Sequence, residues 1–105
     1  MDIQLEGRFQ KNLKKGKFQH IRPPFDKRLA ELTSAANLEE FVRTYPAARC
    51  HERSGAQAGI FSVDLTGNYR LCFRPLEPFS YKEDAGLDIM TIVSIIIIEI
   101  DDPHK

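Results

Sequence analysis

The stretch from Ile60 to Arg74 limits the fold more than any other part of the chain, because it holds two alternating runs with a turn between them. In the first run Phe61, Val63 and Leu65 alternate with Ser62 and Asp64; in the second Tyr69, Leu71 and Phe73 alternate with Arg70, Cys72 and Arg74. A period of two is that of a strand with one buried face. A three-residue loop at Thr66-Gly67-Asn68 pairs Leu65 with Tyr69, Val63 with Leu71 and Phe61 with Phe73, gathering the large apolar side chains on one side. A two-residue loop at Gly67-Asn68 pairs Leu65 with Arg70 and scrambles the faces. The three-residue loop is therefore predicted, and with it an Asp64–Arg70 pair on the polar face.

The first half of the chain has a different period. Met1 to Leu5 reads as a short strand, and Phe9 and Leu13, stopped by Gly16, as a short helix. Pro23 and Pro24 bar a helix from continuing but suit the first turn of a new one. From there Phe25, Leu29, Leu32 and Ala36 recur at i, i+4, i+7 and i+11, on one helical face. Asn37 followed by Glu40 resembles a capping box, so a further helix is expected over 38–44, with Leu38, Phe41 and Val42 inward. Tyr45-Pro46 closes the helical half.

Beyond the hairpin, Pro75 to Leu87 is rich in charge, proline and glycine and is expected to be an exposed, mobile connection. Ile89 to Ile100 then reads as a strand apolar on both faces, as a central strand covered on both sides requires. The sum is an α+β fold: two or three N-terminal helices packed on a largely antiparallel sheet of about four strands, in one domain spanning 1–105. A chain of 105 residues supports one core and leaves no room for a cofactor domain. No cofactor is expected. The apolar run at the end is interrupted by Thr91, Ser94 and Glu99, and the N-terminal residues hold no apolar block, so neither a membrane span nor a signal peptide is expected. Cys50 and Cys72 sit in apolar, strand-like stretches without CxxC spacing, which argues against a disulfide framework or a metal site and fits a reducing cytoplasm.

The net charge of zero hides an asymmetry: residues 1–53 hold 11 Lys and Arg against 7 Asp and Glu, and residues 54–105 hold 4 against 8. A basic first half suits a phosphate backbone, although Lys11, Lys14, Lys15 and Lys17 read equally as the solvated face of a short helix. Chemistry concentrates in three stretches. Arg49-Cys50-His51-Glu52-Arg53, if extended, sets Arg49, His51 and Arg53 on one face, a cationic stripe around a titratable imidazole. Arg70 and Arg74 line the polar face of the hairpin. The tail adds Asp101, Asp102 and His104 just beyond the last strand. Metal-free cleavage of RNA by its own 2′-hydroxyl needs a group to take the 2′-OH proton, another to protonate the leaving oxygen, and fixed cations for the charge on phosphorus. Arginines around one or two histidines match that demand in residue type. For Arg70 the rival structural role is its cross-strand pair with Asp64.

The runs Ala48-Arg49-Cys50-His51-Glu52, Gly59-Ile60-Phe61-Ser62-Val63-Asp64-Leu65 and Asn68-Tyr69-Arg70-Leu71-Cys72-Phe73 resemble the RelE/ParE toxin pattern gaRcHeLkGdrkGqfsvdl…nyRliFep. The ending Glu99-Ile100-Asp101-Asp102-Pro103-His104 resembles that family's EIvDYH, and Lys27 to Leu32 its KRLAEL helix. The resemblance covers most of the chain from about Phe25 onward and is nearest the HigB-like branch. It implies the RelE-like fold and the toxin of a type II toxin–antitoxin system: a cytoplasmic, metal-independent endoribonuclease that cleaves mRNA on the ribosome and is held inactive by a cognate antitoxin, expected to be of the helix-turn-helix type. Carried onto this chain, it implies proton transfer by His51 and His104, stabilisation of the scissile phosphate by Arg70, orientation of the tail or the imidazole by Asp102, and RNA contacts by Arg49, Arg53 and Arg74.

The chain departs from the pattern in two places. Arg53-Ser54-Gly55-Ala56-Gln57 replaces Leu-Lys-Gly-Asp-Arg, leaving two basic positions neutral, and Pro103 replaces the tyrosine before the final histidine. Two other functions share the fold. One is a ParE-like, non-enzymatic inhibitor of DNA gyrase, against which paired imidazoles argue. The other is an inactive relative that keeps only antitoxin binding, which the two departures favour.

Overall fold

A computed structural model describes residues 1–102. Five strands, β1 (Asp2–Leu5), β2 (His51–Glu52), β3 (Phe61–Asp64), β4 (Arg70–Pro75) and β5 (Ser94–Asp101), form one sheet in the order β1-β5-β4-β3-β2. Three helices, α1 (Gly7–Lys14), α2 (Arg22–Ser34) and α3 (Leu38–Thr44), share the apolar core on its inner face. The α+β architecture is as expected. The sheet has five strands rather than about four and is mixed, because β1 runs parallel to β5 while the other neighbours are antiparallel. Pairing the first strand with the last is a contact of long sequence separation, and no local pattern encodes it.

The hairpin register is the one the apolar faces demand. Phe61 lies opposite Phe73, Val63 opposite Leu71 and Asp64 opposite Arg70, and Leu65 N donates to the Tyr69 carbonyl at 2.9 Å. The Phe61 and Phe73 rings stack with centroids 5.7 Å apart, and Val63, Leu71 and Phe73 are fully buried. Phe25, Leu32, Leu38 and Phe41 supply the helical side of the same core.

Local signals set the helix ends. Pro23 and Pro24 occupy the first turn of α2, where a missing N–H costs nothing. The expected apolar face over-reached by one position: α2 stops at Ser34, Ala35 turns extended and is the buried residue, and Ala36 is exposed. The Asn37 side chain caps α3 by accepting from Glu40 N at 2.8 Å. The return bond of the box is displaced by one residue, with Glu40 Oε1 accepting from Ala36 N at 3.3 Å.

The last apolar run is shorter as a strand than its composition suggests. Ile89–Thr91 forms a 3₁₀ turn with the Asp88 side chain accepting from Met90 N, and β5 starts only at Ser94. Ile92, Ile95 and Ile97 are fully buried, while Ile96, Ile98 and Ile100 are half-covered. The connection before it is largely exposed, but Pro75 belongs to β4, and an isolated bridge joins Tyr81 to Leu87. Cys72 faces Glu99 whereas Phe73 faces Ile97, so β5 carries one extra residue, Ile98, as a bulge. Such an insertion increases the local twist and re-aims the side chains beyond it. No helix among the described residues is long and apolar enough to cross a membrane.

Candidate functional site

Alternation along β3 and β4 sends Ser62, Asp64, Arg70, Cys72 and Arg74 to the sheet face away from the core. Pairing then adds His51 opposite Ser62 on the outer side, and Glu99 and Asp101 opposite Cys72 and Arg70 on the inner side. This face is the candidate site. His51 and Arg70 are two strands and two residues apart, roughly 12 Å between α-carbons from strand spacing. Both side chains can therefore flank one phosphodiester.

His51 lies on the two-residue edge strand β2 and is exposed. Its Nδ1 is 3.1 Å from the Arg49 carbonyl, which can only accept, so in the neutral ring the proton sits on Nδ1 and the lone pair on Nε2. That Nε2 is 3.5 Å from Ser62 Oγ, a long contact that leaves it open to a better partner. Arg49 aims its carbonyl there by adopting the left-handed conformation, φ 52° and ψ 51°, which a non-glycine residue rarely takes. The expected extended run from 49 to 53 is thus broken at Arg49, and only His51–Glu52 is strand. Even so, the contacts of Arg49, His51 and Arg53 all fall on the same sheet face.

Each of three arginines on this face has a carboxylate partner. Arg70 Nε is 3.4 Å and Arg49 Nε 3.6 Å from Asp64, one from each carboxylate oxygen. Arg53 lies across the sheet: its guanidinium donates to Gln57 Oε1, Cys72 Sγ and Asp101 Oδ2, each at 3.0 Å. With 17% of its side chain exposed, Arg53 has the best-shielded ion pair on this face and ties the β2–β3 loop to the end of β5. Gln57 stands where the toxin pattern has a basic residue, and here it props Arg53. Arg74 is exposed and makes no ion pair among the described residues.

The thiols are not nucleophiles here. Burial pushes the Cys50 thiol up to about 12. Cys72 is pushed up to about 11, because its burial and the charges of Glu99 and Asp101 outweigh the Arg53 guanidinium that favours the thiolate. At pH 8 the thiolate fraction should fall about 10³-fold at Cys50 and about 10²-fold at Cys72 below that of a free thiol, from shifts of about three and two pKa units. Disulfide-exchange labelling of the native protein should be correspondingly slow and should become fast in guanidinium. Because the folded pKa values are the higher ones, this contribution to stability is complete below pH 9 and is lost as pH rises towards 11–12. Labelling at the free-thiol rate under native conditions would contradict the burial.

Asp102 goes elsewhere. It lines a cleft with Lys17, Phe18, His20, Tyr69 and Ile100, while Asp101 takes the place beside Arg53 and Arg70. His104 lies outside the described residues. Sequence analysis gave no site role to Ser62 and noted Asp101 only as part of the acidic tail. Ser62 was legible from its alternation with Asp64, whereas the meeting of Asp101 with Arg53 depends on the bulged β4–β5 register, which has no local signature.

No protein-family sequence profile matches the chain, and no curated protein matches it in sequence. Solved structures do. YafQ from E. coli strain BL21(DE3) superposes with a TM-score of 0.65 at 10% identity, over 98% of this chain and 93% of that one. A histidine-to-glutamine mutant of YafQ from E. coli gives 0.59 at 12% identity over the same shares. The YoeB/ParE toxin from Agrobacterium tumefaciens gives 0.56 at 10% identity, over 97% and 98%. At these identities the likeness is one of fold, and the fold of this chain, three helices on a five-stranded mixed sheet, is the one that YafQ and the YoeB/ParE toxin share.

Proposed function

We propose that this protein is the toxin of a type II toxin–antitoxin pair, a cytoplasmic, metal-independent endoribonuclease that cleaves mRNA on the ribosome. The observation that carries this reading is the convergence of His51, Arg49, Arg53 and Arg70 on one sheet face, in a fold shared with a YoeB/ParE toxin. His51 Nε2 takes the 2′-OH proton as O2′ attacks phosphorus. The P–O5′ bond breaks, and His104 returns a proton to O5′, leaving a 2′,3′-cyclic phosphate. Arg70 faces the phosphoryl oxygens, Arg49, Arg53 and Arg74 hold flanking phosphates, and Asp102 orients the tail. The partners are mRNA, the ribosome and a helix-turn-helix antitoxin. Within that class we place it with the HigB-like branch, on the residue pattern alone.

One observation favours a second reading, a relative that binds its antitoxin without cutting RNA. Asp64 and Asp101 already pair with Arg49, Arg70 and Arg53, two carboxylates against three guanidiniums, so phosphate competes with carboxylate to bind. Inducing the chain in bacteria and mapping mRNA 5′ ends separates the two. Growth arrest with new cuts inside translated codons, abolished by His51→Ala with His104→Ala, is expected. Arrest with intact mRNA and gyrase-dependent DNA damage would indicate a gyrase inhibitor, and no arrest would indicate the binding-only relative.

Asp64→Asn bears on the same competition. Releasing two guanidiniums should tighten RNA binding severalfold at 0.1 M salt. It should also steepen the slope of log K against log[salt] by roughly 1.4, at about 0.7 for each freed cation on a single strand. An unchanged slope would mean that these arginines do not meet phosphate.

A further inference from the structure

β1 ends at Leu5 opposite Ile97, whereas β5 runs on to Asp101, so among the described residues no strand lies beside the outer edge of β5 beyond Ile97. α1 passes along that edge and leaves three clefts of about 680, 190 and 200 Å³. They are continuous, because Arg8, Asn12 and Lys17 line both the first and the second, and Lys17, Phe18 and Ile100 both the second and the third. One wall of the groove is cationic. Arg8, Lys11 and Lys15 follow at i, i+3 and i+7, a line about 10 Å long on one helix face, and Lys17 continues it. All four are exposed, and none makes an ion pair among the described residues, in contrast to Arg49, Arg53 and Arg70 of the sheet face.

The opposite wall is the edge of β5 from Ile98 to Ile100, and the far end holds His20 and Tyr69, whose rings meet edge to face at 5.4 Å with Nε2 and OH 3.3 Å apart. An acidic peptide would satisfy the cations but give the aromatic pair no stacking partner. A nucleic acid strand satisfies both, because its phosphates suit the row of cations and its unstacked bases suit the rings. The aromatic pair supplies a surface for an unstacked base.

We propose that this groove binds single-stranded RNA, with phosphates along α1 and bases turned towards the open edge of β5, one of them stacked on Tyr69 and His20. The choice of RNA rests on the endoribonuclease reading; the groove's fit to a single strand does not. The groove reaches Asp102, so a strand in it approaches the end of β5, where Arg70 and Asp101 pair across the sheet.

The test measures fluorescence anisotropy of a labelled 12-nucleotide cytidine-rich RNA on the full chain carrying His51→Ala, which slows turnover. Adding Lys11→Glu, Lys15→Glu and Lys17→Glu should weaken binding at least tenfold and lower the salt slope by about 2, at about 0.7 per cation. Tyr69→Ala should weaken it about 5- to 100-fold, the range for one stacked base. His20→Ala, at an exposed position, gives the same direction without risk to the fold, and thermal melts check the others. RNA binding unchanged by the lysine and aromatic variants would overturn the groove while leaving the nuclease intact. Equal affinity for a duplex of the same charge would overturn it too, since a bare cationic surface would then suffice. Failure of the otherwise unmodified chain to cut mRNA, with groove variants still losing RNA, would end the nuclease reading alone.

Discussion

Alanine in place of His51 is expected to slow RNA cleavage by about 10² to 10⁴, the usual contribution of one positioned acid or base. The argument rests on its tautomer and its surroundings. With Nδ1 donating to the Arg49 carbonyl and Nε2 in only a 3.5 Å contact with Ser62, the imidazole offers its basic nitrogen to whatever lies over the sheet. Arg70→Ala should cost about 10² to 10³, as removal of one fixed donor from a developing charge does elsewhere. Ser62→Ala separates catalysis from ring support. If Ser62 only packs beneath the ring, its loss should change the rate by less than tenfold. If cleavage depends on a hydroxyl activated by His51, the loss should match that of His51→Ala. Single-turnover cleavage of a defined RNA on ribosomes provides the readout, and a His51→Ala protein that cuts at the unmodified rate would remove His51 from the chemistry.

Replacing Phe73 by alanine should destabilise the fold by about 3–5 kcal/mol, because its ring is fully buried and the surroundings relax only partly around such a cavity. That is a large share of the 5–15 kcal/mol that holds a domain folded, and for a chain of this size it lowers the melting temperature by roughly 15–30 °C. Phe73 also sits at the bulge, next to Cys72, so the loss should loosen the sheet exactly where Arg53 reaches Asp101. Tyr81→Ala, at a side chain 64% exposed, is the control and should stay within about 0.5 kcal/mol. Chemical denaturation of both variants gives the comparison, and a Phe73→Ala cost below 1 kcal/mol would contradict the packing.

Charge placement is where the two surfaces proposed to meet RNA differ. On the sheet face Arg49, Arg70 and Arg53 are held by Asp64 and Asp101, which orders their forks but lowers the pull on phosphate. Along and just beyond α1, Lys11, Lys15 and Lys17 are exposed and make no ion pair among the described residues, which gives attraction without geometry. If the proposed nuclease and groove both hold, a division of labour is expected: Lys11, Lys15 and Lys17 would set affinity and its salt dependence, and the paired arginines would set position over the bond to be cut.

Local signals carried much of the fold. The faces of Phe61, Val63, Leu71 and Phe73 determined the hairpin register, since a slip of one residue would have exposed every one of them, and Pro23-Pro24 and Asn37 set the starts of two helices. The Asp64–Arg70 pair followed from the same register. Tertiary structure decided the rest: that β1 lies beside β5, that β5 begins at Ser94 and bulges at Ile98, and that Asp101 rather than Asp102 meets Arg53. The physical reason is range. Alternation, capping and turn chemistry act between residues a few positions apart, whereas strand order and the partner of a charged side chain depend on which distant segments the shared core brings together.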